Sequence, residues 1–168
     1  PAAESLSVAD VEGVLARAVA EARARSRPAV IAVTDRVGNV LAVYSMTGAP
    51  ASITLRAGAT ANVDLQGVVA PAAAGAIAKA VTGAYLSSGG NAFSSRTASM
   101  IVQPHFPPAP STVGLESGPL FGVQFSQLPC SDISSRFVAG GGPSSLIGPK
   151  RSPLGLAADP GGFPLYKN

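Results

Sequence analysis

Apolar positions along the first quarter of the chain change period between two regimes. Val8, Val11, Leu15, Ala18, Val19 and Ala22 recur at the spacing of one helical face, and Ser7 followed by Asp10 has the form of a capping box with the shorter acid. A helix is therefore predicted from Ser7 to Arg25, ended by Pro28, which pulls the residue before it out of helical geometry. Arg17, Glu21 and Arg25 stand four apart on its outer face, the spacing of ordinary surface pairs. The pattern then turns β-branched over Ala29–Thr34, carries turn residues over Asp35–Asn39, and is β-rich again over Val40–Tyr44. That order predicts a β-hairpin. Its first strand is almost wholly apolar and its second mixed, so the first is expected to be central, with a helix on each side.

From Ser45 to Gln66 the chain is rich in Gly, Ala, Thr and Ser, which predicts irregular loop with at most a short helical turn. Pro71 fits the first turn of a second helix whose apolar stripe is Ala73, Ile77, Ala80, Val81, Ala84 and Tyr85, ending at Gly89-Gly90. Small residues elsewhere on it, among them Gly75, Ala78 and Gly83, leave room for another backbone or a flat ligand. A third helix is predicted from Ser94 or Ser95 to about Gln103, stopped by Pro104, with His105 just beyond its end. Later segments read as a stiff Pro-rich connection (Phe106–Pro110), a strand (Leu120–Phe125), a loop (Gly140–Gly142), and a strand-turn-strand between Leu154 and Tyr166.

Composition narrows the classes. In 168 residues, 46% hydrophobic and only 12% charged, there is enough apolar material for a single folded domain. The net charge of +3 comes from scattered bases, which does not favour nucleic-acid binding. A lone cysteine, Cys130, excludes an internal disulfide, and a lone histidine, His105, excludes a multi-histidine zinc site. No apolar run approaches the roughly 20 residues of a membrane-spanning helix. The small-residue start Pro1-Ala2-Ala3 has the character of a stub left by signal-peptide removal, so a periplasmic or secreted location is expected.

Four stretches, in order, resemble the GlcG/HbpS family of haem-binding or haem-degrading domains: Ala32–Ala42, Met46–Ser52, Ala78–Thr82 and Gly161–Leu165. The segments Asn91–Ala98 and Gly118–Cys130 resemble a long-form subgroup of that family. Ser45 and Thr47 stand where the family's second motif has Arg and Asp, so a charge-based role does not transfer to that turn. The resemblance implies an α/β, profilin-like fold: one domain over residues 1–168, with a mainly antiparallel sheet of about five strands and helices on both faces. It further implies a glycine-rich strand and a helix following Asn168. The domain is therefore expected to be incomplete at its C-terminus, through truncation or because a second chain cut from the same precursor completes the sheet. Homo-oligomers are expected on the same basis.

Haem, the cofactor so implied, needs an iron ligand, a flat apolar cleft and cations for its propionates. His105 is the only histidine available to hold the iron, with Tyr44, Tyr85 and Tyr166 as oxygen alternatives. Tyr85 is also a candidate cofactor-binding residue. Lys79, in a small-residue helix, with Arg96 and Thr97 at the start of the next, makes a candidate carboxylate clamp. Helix capping with a surface Arg96 explains the same residues more simply. Asp35 is a base or metal ligand on one reading and a turn former on the other, and Cys130 is a nucleophile only if His105 reaches it. Three functions follow as expectations: a haem or tetrapyrrole binder that senses or sequesters its ligand, a two-chain enzyme acting on a small carboxylate-bearing substrate, or a structural oligomer module.

Overall fold

A computed structural model of the chain describes residues 5–55, 67–86, 92–97, 152, 154, 156–157 and 160–167. The first helix, α1 (Val8–Ala24), begins with the expected capping box: Ser7 Oγ accepts the Asp10 amide at 3.2 Å, and Asp10 Oδ2 accepts the Ser7 amide at 2.7 Å. Two orphan amides of the first turn are satisfied by these two side chains. The helix ends in a Schellman motif, with the Ser26 amide donating to Arg23 O and the Arg27 amide to Ala22 O, both at 2.9 Å. Ser26 occupies the left-handed position there at φ 51°, where glycine is the usual residue.

Strands β1 (Val30–Thr34) and β2 (Val40–Ser45) form the expected antiparallel hairpin, from Val30 opposite Ser45 to Val33 opposite Ala42. The register then shifts so that Thr34 faces Val40, a bulge that twists the end of the ribbon toward its turn. Both helices pack against β1, and Val33 is its buried residue. On β2, Val40, Leu41, Val43 and Tyr44 are all exposed, as befits the outer strand.

Two further strands were not expected, one of them inside the predicted loop and the other just after it. β3 (Ser52–Thr54) pairs antiparallel with β4 (Val69–Pro71), and bonds from Leu55 to Val68 and from Gly67 to Leu55 extend the pairing. Strands of three residues carry no readable period, and their partner lies across a long connection, so local pattern missed them. The described residues thus form an α/β fold with two small two-stranded antiparallel sheets, smaller than the five-stranded sheet expected.

Helix α2 (Ala72–Tyr85) follows directly on β4, with Pro71 at its N-cap. Its buried face is rotated from the predicted stripe: Ala72, Gly75, Ala78 and Thr82 are buried, whereas Ala73, Ile77, Ala80 and Ala84 are only half-buried. Close approach is the reason. A Cβ on Gly75 would stand 2.5 Å from Ile53 Cδ1, and one on Gly83 would stand 2.9 Å from the Phe163 backbone nitrogen. Val81, Tyr85 and Leu86 at the C-terminal end of α2 form a core with Val37 from the hairpin turn, flanked by Phe93 and Leu156.

The segment 162–167 is not a strand, and 154, 156 and 157 are not either. Side chains hold these residues in place of a neighbouring strand: Thr82 Oγ1 accepts the Ala157 amide at 2.8 Å, and Ser95 and Gly162 exchange two bonds. Pro164 has no amide to give a ladder. Residues 95–97 are helical, as predicted for the start of the third helix. The rest of that helix, the predicted strand Leu120–Phe125, the loop Gly140–Gly142, His105 and Cys130 lie outside the described residues.

Candidate functional site

Three places gather polar side chains, two of them around residues that the sequence singles out. The first is the hairpin turn. Asp35 Oδ1 accepts the Val37 and Asn39 amides at 3.0 and 2.8 Å, and Oδ2 accepts the Asn39 side-chain amide at 2.7 Å. Gly38, at φ 84°, permits the reversal. The carboxylate is thereby committed to turn geometry, the second of its two readings. Val37 is tucked under α2, and its carbonyl accepts the Tyr85 hydroxyl at 3.1 Å. Tyr85, with no exposed surface, sits in the core instead of at a cleft.

The second place is the turn Pro160–Gly162, where the structure brings the proposed clamp residues near one another. Lys79 Nζ donates to Pro160 O at 3.1 Å, and its stem lies along Gly161, whose φ is 128°. Ser95 Oγ accepts the Gly162 amide at 2.7 Å while the Ser95 amide donates to Gly162 O at 2.9 Å. A side chain at Gly162 would collide with the Lys79 carbonyl, so the two glycines are what let the turn nest between α2 and Ser95. Arg96 and Thr97 follow at once, Arg96 exposed and Thr97 half-buried. The Thr97 amide points at Ser94 Oγ, 3.4 Å away, so Ser94 acts as the cap and that amide is not open to an anion. Lys79 contributes a positive charge held by a neutral acceptor, and Arg96 a second one close by.

The third place was not foreseen. A cleft of about 370 Å³ opens between the end of α1 and the end of β2, lined by Arg23, Arg27, Pro28, Tyr44, Met46 and Thr47 among others. Met46 is buried, while Tyr44 and both arginines are exposed. The signal in the sequence was two bases four apart across a helix stop, which the ion-pair reading of the neighbouring Glu21 and Arg25 obscured. Thr47, which stands where the resembled motif has Asp, brings no negative charge to this cleft. Tyr166, the remaining tyrosine, is exposed on the segment after the glycine turn.

No group of three His, Cys, Asp or Glu side chains among the described residues is placed to hold a metal ion, and no described helix is long and apolar enough to cross a membrane. Basic residues thus stand at two turns, Lys79 and Arg96 by Pro160–Gly162 and Arg23 and Arg27 at the end of α1.

Residues 6–61 match the family described as haem degrading protein HbpS-like. This HbpS-like segment, about a third of the chain, contains α1, the hairpin, β3 and the whole lining of the α1–β2 cleft. It covers the first two of the four motifs that carry the GlcG/HbpS resemblance; Ala78–Thr82 and Gly161–Leu165 fall beyond it. No curated protein and no solved structure matches the chain.

Proposed function

We propose that the protein binds haem or a related planar tetrapyrrole, to sense or sequester it. The single observation that carries this reading is the match of residues 6–61 to a family described by haem chemistry. Basic residues support the anionic half of such a ligand: Lys79, which donates to Pro160 O, and Arg96, next to the Ser95 that holds Gly162, would pair with propionates, with Thr97 following. For the iron, the choice narrows. Asp35 and Tyr85 are committed to the hairpin turn and to Val37, which leaves His105, with exposed Tyr44 and Tyr166 as the oxygen alternatives. Bound haem would supply a redox-active iron whose potential depends on that axial ligand.

Titration of the purified protein with haem tests the reading. A sharpened, red-shifted Soret band is expected, weakened in His105→Ala and, through the propionates, in a Lys79→Gln/Arg96→Gln variant. The spectrum of free haem persisting at saturating protein would overturn it. We also propose that a second chain, another copy or a companion polypeptide, covers β2, because Val40, Leu41, Val43 and Tyr44 leave that edge strand apolar and exposed. Native mass spectrometry would report a mass above one chain, and a strictly monomeric species at micromolar concentration would count against it.

A further inference from the structure

We propose that the cleft between the end of α1 and the end of β2 binds a small carboxylate with a flat apolar body. This stands apart from the haem reading, with which it shares only Tyr44, there an oxygen alternative to His105. The cleft, at about 370 Å³, is of a size for a single small molecule. Arg23 lies in the last turn of α1 and Arg27 two residues past its cap. The Schellman bonds from Ser26 and Arg27 to Arg23 and Ala22 reverse the chain at the helix end, and both arginines line the one cleft.

Among the described residues neither guanidinium has a hydrogen-bond or ion-pair partner, in contrast with Arg25 between them, which binds Glu21 at 2.5 Å. No carboxylate lines the cleft. The last carbonyls of α1, those of Glu21, Ala22 and Arg23, already accept the amides of Arg25, Arg27 and Ser26, so the partial negative charge of the helix end is largely spent. Two arginines lining one cleft offer forked donors of the kind that match a carboxylate bidentately. The rest of the lining selects among anions. Buried Met46 with Pro28 and the exposed ring of Tyr44 offers an apolar surface that inorganic phosphate does not use and a flat hydrocarbon does.

Benzoate is the probe, with neutral benzamide and inorganic phosphate beside it, followed by isothermal titration or by chemical-shift changes in the purified chain. Saturable benzoate binding is expected, weakened about tenfold or more by Arg23→Gln and by Arg27→Gln, with benzamide and phosphate each binding at least tenfold more weakly. Tyr44→Ala should weaken benzoate several-fold without affecting phosphate. A variant with both arginines changed to Lys keeps the charges that a helix end favours but loses the forks, and it too should weaken; circular dichroism reports whether each variant stays folded. Absent or non-saturable benzoate binding, equal affinity in the double Gln variant, or phosphate binding as tightly as benzoate would each overturn the proposal. Haem binding that persists while benzoate fails would overturn this proposal alone, and benzoate binding without haem would leave it standing.

Discussion

The hairpin turn and the end of α1 are both chain reversals bearing charged side chains, and they treat those side chains in opposite ways. At the hairpin, Asp35 accepts three hydrogen bonds from its own turn, and Tyr85 reaches across from α2 to hold the Val37 carbonyl. Nothing is left over for a ligand. At the end of α1 the backbone closes on itself through Ser26 and Arg27, so the side chains of Arg23 and Arg27 have no structural duty. At these two reversals, side chains are left available where main-chain groups satisfy each other and are engaged where side chains must do so.

Side chains close the glycine turn as they close the hairpin, and the largest blow falls there, where Gly162→Val would drive a branched side chain into the Lys79 carbonyl and Ser95. Overpacking of this kind costs about 3 kcal/mol, read as a fall in thermal midpoint. Midpoints within a degree of each other would show that the turn can lift off α2. A smaller loss, about 2 kcal/mol, is expected for Asp35→Ala, which leaves the Val37 and Asn39 amides half-buried and unpaired. Benzoate affinity at low temperature should be the same in both variants if the two regions are as independent as their bonding suggests.

How much of this was legible depended on range. The capping box at Ser7, the stop at Pro28 and the hairpin around Asp35–Asn39 are local and were readable from residue order alone. The rotated face of α2 was not. Apolar counting favoured Ile77 and Ala84, but the neighbours are the backbone of 162–163 and the Ile53 side chain, which admit only Gly75 and Gly83. Likewise β3 and β4 depend on each other across a long connection. Of the candidate site, Lys79 and Arg96 come to one turn, Tyr85 is spent on the core, His105 lies outside the described residues, and the arginine cleft needed the fold to bring Tyr44 and Met46 up to the end of a helix.

Ser26 sharpens the contrast from the other side. Its left-handed backbone costs an L-residue side chain about 1 kcal/mol, so Ser26→Gly should raise the midpoint by about 0.5–1 kcal/mol equivalent while leaving the Schellman bonds in place. A lowered midpoint would mean that the Ser26 side chain, which lines the cleft, supports the helix end itself.

The smallest effect belongs to the tie between the two ends of the described chain. Asp10 caps α1 through Ser7 and also meets Lys167 Nζ at 2.7 Å, so the Lys167 hydrogen bond first, and those from Ser7 next, hold its carboxyl well below the usual carboxylate range. A carboxyl so depressed stabilises the fold fully above its unfolded value near about 4, and that contribution drains away as pH falls through the folded value. The wild-type midpoint should therefore decline more steeply below pH 4 than that of Asp10→Asn, with the two curves nearly parallel above pH 5. Because the pair sits at the surface, added salt should shrink the difference. Identical acid limbs in low salt would show that the tie between Asp10 and Lys167 does not set the acid sensitivity.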